Sequence, residues 1–411
     1  MTETPPRGYV ARRRIPGAPV GNFTADSLPT IPRYDSLIAA IEGYDGLDSR
    51  FIHAPETPAR VVNTSLVRGT NLFGPIEGHG FPVFETGHYR MRAAETVLLH
   101  DALFSAQSMT VSTTAGGFFD ASLANYFLAS PRLDHMVSMD RIFELDAAGT
   151  PIYSAQADYL GASDSVALTV CGTGFPNYGH FLYDGLPLIH LLMATLHRNR
   201  PIIVGPALSD WQHAILAVLG LADDYRVITH PVVFRKLVTT SLISLHVPYP
   251  TRFVRPMLDT IRFRVGGPAQ PRTRRVFVSR SDTPAKRDMI NRDAVEARFS
   301  AAGFDIIHPQ RLTFVEQVEL FSACIVVAGE SGAGMANIGF CDPGTKVLEI
   351  QPSLFVEGWT RAACMLFSHE WHVLFARSQP ATNPDPAVPA HMLRFEVDLA
   401  DLDAAIARVT T

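Results

Sequence analysis

The sequence predicts an α/β protein made of two units in which strands and helices alternate, with an additional β-rich segment ahead of them. Three observations carry this expectation. Apolar strand-like runs alternate with helical stretches over 166–219 and again over 274–350, the pattern of parallel sheets covered by helices. Between the two stretches RVGGPAQP, with Gly266, Gly267, Pro268 and Pro271, reads as an interdomain linker. Residues 60–165 instead carry short β-like runs such as QSMTVSTT, punctuated by Gly116, Gly117 and Asp120, and are expected to form an antiparallel meander.

In chain order, residues 1–33 hold Pro5, Pro6, Pro16, Pro19, Pro29 and Pro32 without periodicity, so they are expected as a flexible arm outside the core. A first domain then spans 34–265, β-rich over 60–165 and α/β over 166–250. In its α/β part VALTVC (166–171) predicts a buried strand, Tyr178 to His197 a helix, PIIVGP (201–206) a strand and Asp210 to Leu219 a helix. The second domain spans 272–377: strand 274–279, helix 291–302, strand FDIIH, helix 313–323, strand 324–328, helix 332–339 and strand 346–350. Thr313 with Glu316 predicts a capping box at the start of the second of these helices. Residues 378–411 are expected as a Pro-rich connector and a last helix capped by an Asp.

Length and composition exclude several function classes. A chain of 411 residues holds about two or three domains, and 47% hydrophobic against 18% charged residues is a globular composition. The formal charge of −5 is wrong for a protein that coats nucleic acid. The richest apolar stretch, Leu186 to Leu196, is broken by Pro187 and His190, so no spanning helix is expected. No signal-peptide core follows Arg12, Arg13 and Arg14. A cytoplasmic location is expected, with peripheral membrane association and a homodimer, supported by the β-rich segment, left open. Cys171, Cys324, Cys341 and Cys364 lack metal or CxxC spacing and are expected as buried thiols. His369 and His372 in SHEWH lack the spacing of a metal motif, and no metal site is expected.

Ligands of open α/β sheets bind outside the carboxyl ends of the strands, which selects three loops of the second domain. The first, SRSDTPAKRDMIN, carries Arg280, Lys286 and Arg287. From Arg252 to Arg287 ten Lys and Arg face only Asp259 and Asp282, a basic concentration suited to phosphate, although a solvated loop accounts equally for Arg272, Arg274 and Arg275. The second, GESGAGMAN, places Gly332 and Gly334 at a strand-to-helix turn, where free N–H groups attract phosphate and tight packing also requires glycine. The third is the end of KVLEIQP, where Glu349 is either a ribose-hydroxyl acceptor or an exposed strand-end charge.

Two further readings stay open. GESGA approaches a nucleophile elbow with Ser331 as nucleophile, and His369, His372 and Asp342 follow in the order a triad requires. No HGGG-type oxyanion loop precedes it. In the first domain NYGHFLYDGLP spaces His180 and Asp184 one helical turn apart, and Pro187 deprives the Tyr183 carbonyl of its helical donor, so the helix is expected to kink beside Asp184. That pair reads either as a structural bridge or as a catalytic group.

NYGHFLYDGLP, together with VFVSR, GFDIIHP and LTFVEQVELFSACIVVAGESGAGMANIGFCDPGTKVLEIQP, resembles glycosyltransferase family 61 over about 93–352. The resemblance implies a GT-B architecture, two Rossmann-like doubly wound domains facing a cleft, and inverting transfer of a sugar from a nucleotide-sugar donor to a glycan or glycoconjugate hydroxyl. It implies a role in surface polysaccharide assembly of the bacterial type, no metal, and no cofactor besides the donor. The candidate donor side is then Arg280, Arg287, Lys286, Ser331, Gly332, Ala333, Gly334, Asn337 and Glu349, of which Ser331, Gly332, Ala333 and Gly334 correspond to the family's motif. Asp184 is the first candidate for the base and His180 the second, with Glu330 of the donor domain as an alternative. Ser331 stands where the family's motif has a His, so a proton-carrying role there does not transfer. A serine hydrolase using Ser331 and a non-catalytic glycan or nucleotide binder remain the alternatives.

Overall fold

A computed structural model describes residues 175–240, 251–266, 271–282, 286–379 and 390–411 and, before residue 175, a set of strands with a few adjoining residues. The chain divides into two compact units, Met1–Thr57 with Arg92–His246, and Pro58–Met91 with Val247–Thr411. The division falls ahead of 266–271: helix Val254–Gly266 belongs to the second unit, where Val254, Met257, Leu258 and Ile261 are its buried side chains. Gly267 and Pro268 of the expected linker lie outside the described residues.

In the first unit, strands Tyr225–Val227, Ile202–Gly205, Ala167–Thr169 and Val232–Thr240 lie side by side in that order, all parallel. Strand addition therefore reverses direction at Ala167–Thr169. Val232–Thr240 then pairs antiparallel with Ala94–Ser105, which turns back into Thr110–Thr113. The expected meander is present in part, because Pro151–Leu160 joins Val232–Thr240 in parallel. This makes the sheet mixed rather than doubly wound throughout. Tyr9–Arg14 pairs antiparallel with Pro151–Leu160, so that part of the amino-terminal arm belongs to the sheet. Val97, Leu99, Phe104, Val204, Phe234 and Leu237 form the core of this unit, and helix Asp210–Val218 starts on a Ser209–Gln212 capping box.

The second unit is the more regular. Its strands run in the order Asp305–Ile307, Arg274–Val278, Cys324–Glu330, Lys346–Pro352, Glu370–Gln379 and Arg394–Glu396, the first five parallel. Numbered along the chain those five read 2-1-3-4-5, the doubly wound order whose switch point lies between strands 1 and 3. Helices Arg292–Ala301 and Phe314–Ser322 lie where the sequence predicts them, and both bonds of the Thr313–Glu316 capping box are present.

Two expectations are corrected here. Strand 346–350 is not the last, since WHVLFA alternates and forms Glu370–Gln379 beyond it. Residues 332–339 form no α-helix: Ala333–Phe340 is a 3-10 helix, in keeping with the poor helix propensity of its glycines. The last helix, Leu399–Thr410, is capped by Asp398 and puts Leu402, Ala405, Ile406 and Val409 into one core with Phe277, Phe299 and Leu348. Residues 380–389 of the connector lie outside the described residues. Cys324, Cys341 and Cys364 are buried free thiols, whereas Cys171 lies outside the described residues. No helix among the described residues is long and apolar enough to cross a membrane.

Candidate functional site

Both switch points carry the residues that the sequence singles out, and each is built by its own unit. In the first unit the chain reaches the segment 175–195 after strand Ala167–Thr169. The Asn177 side chain accepts from the N–H groups of Gly179 and His180 at 2.9 and 3.3 Å, which starts a helical turn, Tyr178–His180. Rings of Phe175, Phe181, Tyr178 and Trp211 pack edge to face against one another, and Gln212 donates to the Phe175 carbonyl at 2.8 Å. These contacts fix the direction in which the turn leaves the loop. Burial pushes the Tyr178 phenol up, so it stays protonated.

The distortion beyond this turn is more than a simple kink. Phe181–Gly185 is a π-turn and Leu186–Thr195 resumes the α-helix. Pro187 has no N–H for the Tyr183 carbonyl, and the chain absorbs the loss by widening one turn just before it. Asp184 stands inside the widened turn, and His180 Nδ1 lies 2.6 Å from its Oδ2. The carboxylate side chain is 10% exposed and the imidazole 15%. With Nδ1 committed to the carboxylate, the outer nitrogen, Nε2, is left without a protein partner among the described residues. Single π-turns inside α-helices are frequent at functional sites.

In the second unit the loops after Arg274–Val278 and Cys324–Glu330 flank the switch point and bring three arginines together. Glu330, the last residue of its strand, is 2% exposed. It is gripped by both terminal nitrogens of Arg292 and accepts the backbone N–H of Arg280 at 3.1 Å. Burial opposes the charge of Arg292, yet its bonds to Glu330 outweigh that cost and the net shift is upward. For Arg280 the balance is reversed: burial first and the neighbouring Arg287 second pull its guanidinium below the ordinary value, while arginine stays charged. A Cβ at Gly332 would stand 2.2 Å from Arg280 Nη1, so the guanidinium lies directly over the glycine turn.

Arg287 sits at φ 54°, in the left-handed region. Its Nη1 donates to Glu357 Oε2 at 3.3 Å, and its guanidinium carbon lies 4.8 Å from the centre of the Phe355 ring. Ser331 Oγ donates to the same Glu357 oxygen at 3.3 Å. Lys286 is exposed. Burial, Lys286 and Arg287 together lower the pKa of His391, whose ring packs against Phe355 at 5.7 Å.

Several sequence-predicted roles change on this geometry. Glu349 is no exposed strand-end acceptor: it is fully buried, its oxygens taking Thr360 Oγ1 at 2.7 Å and Trp371 Nε1 at 3.0 Å. Burial raises its pKa to about 7. Asn337 points inward, donating to Gln317 Oε1 at 3.0 Å and to the Gly334 carbonyl at 3.2 Å, and so ties the 3-10 helix to helix Phe314–Ser322. The Ser331 amide does not face outward but donates to the Ile350 carbonyl. Those of Gly332, Ala333 and Gly334 precede the first 3-10 bond, Met335 N–H to Gly332 O, and have no intrahelical acceptor. Gly334 is also tightly packed, 3.0 Å from Val278 at its Cβ position.

The Ser331 triad is not assembled. His369 Nε2 is bonded to the Ile338 carbonyl, His372 lies between Glu370 and the Thr70 carbonyl, and Asp342 accepts from Arg262. Sequence reasoning missed Arg292, Gln351 and Glu357. Arg292 shows only as an arginine at a helix start and Glu357 as an acid in a loop, neither of which reveals a partner 38 or 70 residues away, and Gln351 shows only as a polar residue in a buried strand, although its partner Glu357 lies six residues on.

No curated protein matches the chain. The family model described as Glycosyltransferase 61 matches residues 178–348, from Tyr178 at the head of the π-turn helix to Leu348 of the strand that bears Glu349 and Gln351. That span includes both switch-point loops, and over it the chain is similar to glycosyltransferase family 61.

Proposed function

We propose that the chain is an inverting glycosyltransferase that moves a sugar from a nucleotide-sugar donor to a hydroxyl of a glycan or glycoconjugate acceptor. The observation that carries this reading is the cluster of Arg280, Arg287 and Arg292 at the switch point of a doubly wound unit, with Arg280 lying over the Gly332 turn. Desolvated guanidinium groups beside backbone amides suit the charge that develops on a departing diphosphate. In this reading Arg280, with Arg287 and the amides of 332–334, holds the diphosphate, and the arginines supply the positive charge without a divalent metal.

His180 is the better base in this reading, and Asp184 orients it. A carboxylate on Nδ1 fixes the tautomer that leaves Nε2 able to accept a proton, and it stabilises the imidazolium that forms. The acceptor hydroxyl gives its proton to Nε2 as its oxygen attacks the anomeric carbon. The bond to the leaving phosphate oxygen breaks, and the nucleoside diphosphate departs with the electron pair. Configuration inverts in one displacement. Glu330, held by Arg292 and the Arg280 amide, is no candidate base. The reading requires the two units to serve one pair of substrates in a GT-B arrangement, and it places the enzyme in the cytoplasm, in surface polysaccharide assembly.

The test is a transfer assay over a panel of nucleotide sugars, first selected by thermal shift, on wild type and Asp184→Asn in buffer with EDTA. Wild type should transfer and release nucleoside diphosphate. Asp184→Asn should bind the same donor and lose about 10²–10⁴ in turnover. Transfer that survives in Asp184→Asn, or that needs a divalent cation, would remove the base or the metal-free step from the proposal.

A further inference from the structure

Gln351 is wholly buried near the end of strand Lys346–Pro352, and its amide is used to capacity. Its Nε2 donates to the Glu357 carbonyl at 2.8 Å, and its Oε1 accepts the Glu357 N–H at 2.9 Å. This is the pair of bonds a neighbouring strand would make, supplied here by one side chain. A further side-chain bond links Gln351 to Glu349, two residues back on the same face of the strand. Glu349 in turn holds Thr360, so two buried polar groups pin both ends of the segment 357–360. That the amide faces this way follows from the network, since the Glu357 N–H can bond only to the oxygen.

The segment so pinned is the one that reaches the arginine cluster. On a single Glu357 oxygen converge Arg287 Nη1 and Ser331 Oγ, and Phe355, two residues earlier, carries the Arg287 guanidinium on its ring. Arg287 Nε is buried without a hydrogen-bond partner among the described residues, so the side chain is placed by its contacts with this loop and not by a grip of its own. Arg287 and Ser331 come from two different loops, and Glu357 is what they share.

We infer that Gln351 is a positioning residue: its amide fixes the backbone of Glu357, and Glu357 in turn sets Arg287 and Ser331 for the donor's diphosphate. This rests on the reading of the arginine cluster as the donor site. Gln351 touches no substrate. Its role is to hold a carboxylate where two donors from separate loops can meet.

A double-mutant cycle separates such a role from a merely structural one. Full-length wild type, Gln351→Met, Glu357→Ala and the double variant are titrated calorimetrically with uridine diphosphate, guanosine diphosphate and inorganic pyrophosphate, with melting temperatures measured in parallel. Each single variant should bind about tenfold more weakly, and the double variant no more weakly than Glu357→Ala alone. Losses that multiply in the double variant, or wild-type affinity in Gln351→Met, would overturn the inference. Should Gln351→Met not fold, Gln351→Glu serves: it can still accept from the Glu357 N–H but cannot donate to the carbonyl, and it should also weaken binding only while Glu357 is present. A wild type that binds none of the three probes removes the donor-site reading and this inference together. Binding that Arg280→Ala weakens while Gln351→Met leaves it intact removes the inference alone.

Discussion

Asp184 and Glu330 are both nearly buried carboxylates near the switch point of their unit, and their partners give them opposite characters. Asp184 is bonded to an imidazole, a side chain that exchanges protons. Glu330 is bonded to a guanidinium, which does not. The first carboxylate shapes a group able to accept a proton. The second completes a permanent ion pair and fixes the backbone of Arg280. Burial and position alone would rank the two acids together, and it is the chemistry of the partner that separates them.

The sharpest way to break that contrast is to neutralise Glu330. Glu330→Gln leaves Arg292 with a buried positive charge and half its partners, and removing one member of a buried pair typically costs about 3–5 kcal/mol. Denaturant melts should show that loss of stability, whereas Asp184→Asn should melt close to wild type while losing turnover. If Glu330→Gln were as stable as wild type and catalytically dead, the two acids would exchange roles.

Next in size is Arg280→Ala. Its guanidinium is desolvated, and its net shift is downward where that of Arg292 is upward, so its charge is the less compensated of the two and the one an anionic ligand would stabilise more. Loss of one well-aimed charged donor costs about 2.7–4 kcal/mol of barrier, read as a fall in kcat/KM for the donor with the acceptor KM unchanged. An effect no larger than that of the exposed Lys286→Ala would show that Arg280 serves packing alone.

How much of this was legible in the sequence depends on the distance over which each feature is made. The Thr313–Glu316 capping box, the Asp398 cap and the first four strands of the second unit are local, and the spacing of His180 and Asp184 alone predicts their contact. Pro187 marks the place of the distortion but not its form, because a kink and a π-turn answer the same missing donor. Gln351 bonds to Glu357 only six residues on, whereas Arg292 and Glu357 gain meaning only when segments far apart in sequence lie side by side. Glu349 was misread for the same reason: with strand Glu370–Gln379 and Trp371 beside it, what looks like a strand end is interior.

The interior of the second unit should also make its stability depend on pH. Burial raises Glu349 from 4.5 to about 7, so the folded state keeps a proton that the unfolded chain has released. Stability from this group therefore falls as pH rises from about 4.5 to about 7, by on the order of 3 kcal/mol. His369 is lowered by burial to about 4, and His372 is also lowered by burial; these make stability rise with pH below about 6.5, where the unfolded chain binds more protons. The slope of Glu349 offsets only part of that of the two histidines, so wild type should gain stability only gently between about pH 5 and 6.5. Glu349→Gln removes the opposing slope, and its midpoint in urea should climb more steeply with pH across that interval. A slope equal to that of wild type would mean that Glu349 is not the group opposing the histidines.

The smallest expected effect tests the finest feature of the contrast, whether the glycine turn serves the fold or the ligand. A Cβ at Gly332 would meet Arg280 Nη1 at 2.2 Å and the guanidinium carbon at 3.3 Å. Both are the far end of a flexible side chain, so Gly332→Ala should fold and melt within about 0.5 kcal/mol of wild type. The guanidinium must swing away, however, and donor affinity should drop about tenfold, or about 1.4 kcal/mol. At Gly329 the added carbon would meet Val278 Cβ at 2.9 Å and the Val278 carbonyl at 3.2 Å, groups of a central strand that cannot move aside. Gly329→Ala should therefore lose stability, by about 1–3 kcal/mol, where Gly332→Ala loses binding. Equal melting losses in the two variants would show that the turn at 332 is held by packing, and that Arg280 lies over it for the sake of the fold.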